Sequence, residues 1–212
     1  MYLTELNNLI EEGENSHIEF KRKFSTSEKI AKEMVAFANT KGGHILFGID
    51  DDRKIIGVES EKEELELINT AAEFYCEPEI EYSTEILFIK NKDVVVVTIF
   101  ESKKKPVMLI TDSDSESKVY IRYNDQSILA SKETIGILKN SNPDSKPLQI
   151  TLGDTERILL KYLTENKKIT VKGFKKLANI SERRASRTLI NLVRAEVVRH
   201  HRQDNNEFFT LV

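Results

Sequence analysis

The segment from Glu14 to Asp52 constrains the chain most, because a strand, a helix and a second strand follow one another there with little slack. His17-Ile18-Glu19-Phe20-Lys21 alternates, which predicts a strand with Ile18 and Phe20 toward a core and His17, Glu19 and Lys21 on the opposite face. Ser25, Thr26 and Ser27 are N-cap candidates for a helix in which Ile30, Met34, Phe37 and Ala38 recur at helical spacing. Asn39 to Gly43 reads as the stop of that helix, glycine being free to take positive φ. His44 to Ile49 is the next strand, Asp50 to Lys54 a tight turn, and Ile55 to Glu59 its return.

Three acids of this segment are candidates for chemistry. Glu14 precedes the first strand, Glu19 sits on its polar face, and Asp51 lies in the turn after the second strand. If the two strands are close in the sheet, the three carboxylates converge with Lys21 nearby. Oxygen donors held together suit magnesium or manganese. Such a cation polarises a phosphodiester and activates water, and Lys21 would neutralise the developing charge. Plainer roles fit the same residues: Glu14 capping a turn, Glu19 pairing with a neighbouring base, and Asp50 to Asp52 as ordinary hairpin-turn composition. Spacing leaves both readings open.

Elsewhere in the first 139 residues the pattern is mixed. Leu3, Leu6, Leu9 and Ile10 fit a short amphipathic helix closed near Gly13, and Leu65, Ile68, Ala72 and Phe74 mark a later one. Glu79 to Lys90 and Val94 to Glu101 read as a hairpin around Asn91. The unbroken Val94 to Val97 predicts a strand covered on both faces. Val107 to Ile110 and Val119 to Tyr123 are further strands, separated by an acidic, serine-rich loop at 111–118, and a helix at 131–139 closes the domain. This is an α+β pattern with a mixed sheet. Residues 140–148 are polar, hold two of the four prolines and read as a linker to a smaller domain at 149–212.

The chain has a net charge of −3 at pH 7, which hides an asymmetry. Residues 149–212 carry 13 Lys and Arg against 7 Asp and Glu, a balance of +6, whereas residues 1–148 carry 19 against 28, a balance of −9. The C-terminal part is therefore the one suited to a polyanion. Its elements are a helix from Thr155 to Asn166, a short strand at Lys168 to Thr170, helices from Val171 to Ala178 and Glu182 to Glu196, and two terminal strands around Gln203 to Asn206. This order resembles a winged helix, in which the third helix enters the major groove. Ala185, Leu189, Leu192 and Val193 make the buried stripe of that helix. Arg183, Arg187 and Arg194 fall on another face, with Arg184 beside them, and Arg202 stands at the hairpin tip. Arginine supplies both phosphate neutralisation and bidentate guanine contacts. A solvated basic face on a protein-interaction module is the alternative.

The single cysteine, Cys76, excludes an intrachain disulfide and a cysteine-based zinc site. Neither a signal peptide nor an apolar run long enough for a membrane is present, so a cytoplasmic location is expected.

The combined pattern E-N-S-H-I-E-F-K, A-F-A-N-T-K-G-G-H-I-L-F-G-I-D-D-D and I-I-G-V, with the later V-Y-I-R-Y-N-D-Q-S-I-L-A-S, resembles the Schlafen-AlbA-like DNA-binding domain family over about residues 10–140. In Schlafen members with endoribonuclease activity the resemblance implies a three-carboxylate metal site, whose positions match Glu14, Glu19 and Asp51. For bacterial relatives it implies DNA binding in transcriptional regulators. The Schlafen core joins two such lobes and this sequence holds one, which implies a homodimer. No G-x-x-x-x-G-K-[ST] is present, so ATP hydrolysis by a P-loop is excluded. The leading expectation is a DNA-binding transcriptional regulator that needs no cofactor to bind and has duplex DNA as partner. The rivals are a magnesium- or manganese-dependent ribonuclease acting on structured RNA, and a protein-interaction scaffold.

Overall fold

A computed structural model of the protein describes residues 1–23, 25–111, 117–142, 152–204 and 206–212. The described chain divides into two compact units, Met1–Ala130 and Ser131–Val212. Most of the expected acidic loop and linker, and Asn205 at the hairpin tip, lie outside the described residues.

The first unit contains α1 (Leu3–Glu12), β1 (Ile18–Lys21), α2 (Ser27–Asn39), β2 (Gly43–Phe47), α3 (Glu61–Tyr75), β3 (Cys76–Glu77), β4 (Tyr82–Ile89), β5 (Lys92–Ile99), β6 (Met108–Leu109), β7 (Tyr120–Tyr123) and β8 (Gln126–Leu129). Its main sheet has the order β1-β2-β5-β4; β1 and β2 are parallel, and the other two pairings are antiparallel. A parallel pair needs a crossover, and α2 supplies it. One face of the sheet packs Ile18, Phe20, Leu46, Val94 and Val96 on Leu6 and Ile10 of α1. The other packs Ile45, Phe47, Val95 and Val97 on Ile30, Met34 and Phe37 of α2 and Ile68 of α3. Two covered faces explain the unbroken valine run of β5.

Some local expectations shift. Between Ile55 and Glu59 only an isolated bridge, Ile49 to Ile55, forms. Phe74 is exposed rather than inward, at 71%. The hairpin partner β8 was not anticipated. Cys76 stands just past the end of α3, and burial pushes its thiol up to about 12, which keeps it protonated and unreactive.

Asn39, read from sequence as a helix stop, is the last residue of α2 and is buried. Its side-chain amide donates to the carbonyls of Val107 and Tyr120 at 2.8 and 2.9 Å, and its oxygen accepts from Val107 N–H at 2.7 Å. Thr40 Oγ1 accepts from Arg122 N–H at 3.0 Å. These bonds fasten the β7–β8 hairpin to the end of α2.

The second unit contains α4 (Lys132–Asn140), α5 (Asp154–Asn166), β9 (Lys168–Ile169), α6 (Val171–Leu177), α7 (Glu182–Arg194), β10 (Val198–Gln203) and β11 (Asn206–Leu211), with a sheet of order β10-β11-β9. Leu159, Leu163, Phe174, Ala185, Leu189, Leu192 and Phe209 form its core. Ile158 of α5 is 43% exposed. The α4 helix, expected to close the first domain, groups with this second unit and lies against α7: a Cβ on Gly136 would come within 2.6 Å of Ile190 Cδ1.

The double glycine is architectural. A Cβ on Gly43 would stand 2.5 Å from both the His17 carbonyl oxygen and the Phe37 ring, at the point where β1 and β2 approach. Gly43→Ala is therefore expected to destabilise the first unit by about 1–3 kcal/mol through overpacking. Urea unfolding checks this; an unchanged midpoint contradicts it.

Candidate functional site

The expected carboxylates occupy three different settings. Parallel pairing of β1 with β2 sets Glu19 opposite Ile45, on the face covered by α2, so the residue is buried rather than on a solvated polar face. Its Oε2 accepts from Arg122 Nη1 at 2.9 Å, and its Oε1 accepts from Lys21 Nζ. Glu14 lies near the surface, where its Oε1 accepts from Phe20 N–H at 2.8 Å. Desolvation raises the Glu14 pKa, the Phe20 bond opposes that, and the negative charges of Glu19 and Asp51 add to it. Asp51 is exposed in the turn after β2, its N–H donating to Asp50 Oδ1 at 3.0 Å.

The three acids thus share an electrostatic field without sharing a coordination point. Among the described residues, no group of three or more His, Cys, Asp or Glu side chains is placed to hold a metal ion. Both Glu19 oxygens already accept from cations, and one Glu14 oxygen is held by the backbone. As placed, this donor set does not fit magnesium or manganese, which need several oxygens turned to one centre.

What occupies the centre instead is Arg122 of V-Y-I-R-Y, a residue that local periodicity does not single out. Its side chain is fully buried. Besides Glu19, the guanidinium donates to Glu33 Oε2 at 3.1 Å, Ser127 Oγ at 3.2 Å and the Asn15 carbonyl at 2.7 Å. It also lies 4.6 Å from the centre of the Phe37 ring. One arginine therefore joins β1, α2, β7 and β8. The available signal was a charge inside the apolar strand Val119 to Tyr123, and its partner stands 103 residues away.

In the second unit, the Ser181 side chain caps α7 by accepting from Arg184 N–H, and Asn179 takes φ 50° in the preceding turn. Arg183, Arg184 and Arg187 are exposed. Among the described residues Arg183 and Arg187 make no ion pair, and Arg184 makes a 3.4 Å contact to Thr155 Oγ1. The other two expected contacts are engaged internally. Arg194 is half-buried and approaches Asn140 Oδ1 of α4 at 3.4 Å. Arg202 donates to Glu207 Oε1 at 3.2 Å and to the Asp204 carbonyl at 3.2 Å.

Glu207 gathers a second network. Its carboxylate accepts from Ser131 Oγ at 2.7 Å and lies 3.3 Å from His200 Nε2. His200 and His201 are split between the two faces of β10, His200 against Phe209 and His201 stacked on Phe208, so they do not converge as ligands. Burial pushes the Glu207 pKa up, but hydrogen bonds from His200 and Ser131 and the charges of His200 and Arg202 outweigh it, leaving a net lowering.

Two outcomes test these networks. Removing one partner of a buried ion pair strands the other charge, so Glu19→Ala and Arg122→Ala should each cost about 3–5 kcal/mol, with strong coupling in the double variant. Urea unfolding measures this, and a Glu19→Ala cost near zero would contradict the assignment. Because the folded Glu207 pKa is depressed, its stabilisation is present above the ordinary carboxylate range and is lost as pH falls through the folded value. Melting temperatures between about pH 6 and 3 should therefore drop more steeply in the parent than in Glu207→Gln.

The family model described as Schlafen, AlbA_2 matches residues 14–131. An uncharacterized ATP-binding protein of Ureaplasma parvum, UU034, is 32% identical over 125 residues, covering 50% of this chain and 35% of the relative, so the chain spans about a third of that protein's length. Among solved structures, the DIP2311 protein of Corynebacterium diphtheriae aligns over 77% of this chain and 33% of its own, at 14% identity and a TM-score of 0.49. The N-terminal domain of a RecG-related protein from Nitrosomonas europaea aligns over 69% and 94%, at 18% identity and a TM-score of 0.43. Among the described residues, no helix is long and apolar enough to cross a membrane. With its first unit matched almost from end to end, this chain belongs to the Schlafen AlbA_2 family.

Proposed function

We propose that the protein binds nucleic acid, with duplex DNA as its partner, and serves as a transcriptional regulator. In this reading the second unit is a winged helix: α6 and α7 form the helix–turn–helix, and the β10–β11 hairpin is the wing. The observation that carries it is the outward face of α7, where Arg183 and Arg187 stand exposed and without an ion pair among the described residues, away from the buried Ala185, Leu189 and Leu192. Free arginines at the N-terminal half of a recognition helix are placed for base edges and phosphates. The +6 balance of residues 149–212 supplies the favourable field. Arg199 on β10 is also exposed and adds to the basic surface of the hairpin. Arg194 and Arg202, bonded within the protein, are assigned structural work instead.

Fluorescence anisotropy with duplex DNA and with structured RNA, each over a salt series, tests the proposal. Duplex binding should weaken steeply with salt, and Arg183→Ala/Arg187→Ala should flatten the log–log slope by about 2, one unit per lost phosphate contact. Absence of salt-sensitive binding, or an unchanged slope in the double variant, would contradict it.

A further inference from the structure

We infer that the outer edge of β4 is a pairing surface for a second copy of this chain, joined antiparallel to form one continuous sheet across two first units. The strand pairs only with β5, in an unbroken register from Tyr82 opposite Ile99 to Ile89 opposite Lys92. Among the described residues, no strand pairs with its other side. Eight residues of open backbone on a regular edge form a template for another strand.

Devices that keep such edges apart are missing here. The strand Tyr-Ser-Thr-Glu-Ile-Leu-Phe-Ile contains no proline, no lysine and no bulge. Its one charge, Glu85, is paired with the Met1 amino group. Near the strand's centre, Ile86 is 45% exposed, and Phe88 beyond it is 64% exposed. Ile86 lies opposite Val95, so both project to the face that carries α2 and α3.

The distribution of charge selects the occupant. Exposed Glu79 and Glu81 lead into β4, and exposed Lys90 and Lys92 follow it. Antiparallel pairing of two identical strands sets the acidic entrance of each beside the basic exit of the other. A parallel arrangement would set like charges together at both ends. A two-fold interface needs this kind of self-complementarity, with one patch serving both partners. The inference stands independently of the DNA-binding proposal, since no residue of the second unit takes part.

Sedimentation equilibrium of the full chain from about 1 to 100 µM tests it. The parent should show a reversible monomer–dimer equilibrium. Ile86→Lys should weaken the dimer at least about tenfold, while its far-UV circular dichroism remains that of the parent. Glu81→Lys, an exposed change that leaves the core untouched, should weaken it too, and Glu81→Lys/Lys90→Glu should recover it. A parent that stays monomeric throughout, or a dimer indifferent to both Ile86→Lys and Glu81→Lys, would overturn the inference.

Discussion

The buried guanidinium of Arg122 is the constraint around which the first unit is organised. It is fully buried, and it ion-pairs with Glu19 and Glu33 at 2.9 and 3.1 Å. A desolvated cation is tolerated only with carboxylates and acceptors around it, so its neighbours are held in place by its needs. Glu19 must stay on the α2 side of β1, Glu33 must point inward from α2, and the Asn15 carbonyl must turn toward it. Asn39 and Thr40 fix the same hairpin through its backbone. The polar residues of the family pattern thereby act as a clasp joining segments distant in sequence.

That clasp changes the meaning of the acidic segment. Three carboxylates at matching motif positions suggest a cation centre, yet in this chain the central one is already neutralised by arginine and lysine. The charge of Asp51 adds to the raised proton affinity of Glu14, but Asp51 belongs to an exposed turn. The arginines proposed to meet a polyanion lie instead in the second unit, where α7 leaves Arg183 and Arg187 exposed and without an ion pair among the described residues. Acidic and basic residues are unevenly distributed along the chain, with a balance of −9 over residues 1–148 and +6 over residues 149–212.

Legibility in the sequence followed interaction range. The strand–helix–strand start, the doubly covered valine strand and the α7 stripe rest on local periodicity, and each formed as expected. What failed to show was long-range pairing. Glu19 alternates with Ile18 and Phe20 as a solvated residue would, and only its parallel neighbour and Arg122 reveal that its face is covered. Arg194 and Arg202 read as free contacts because Asn140 and Glu207, which engage them, stand outside their local pattern.

In the proposed arrangement the arginine of the first unit is structural while the arginines of α7 meet the ligand. Side-chain NMR of the 15N-arginine-labelled chain, titrated with duplex DNA, tests both halves in one experiment. The Arg183 and Arg187 Nε–H signals should shift, while the Arg122 signal stays in place and remains protected from exchange. An Arg122 signal that moves on titration, with the α7 arginines unaffected, would contradict it.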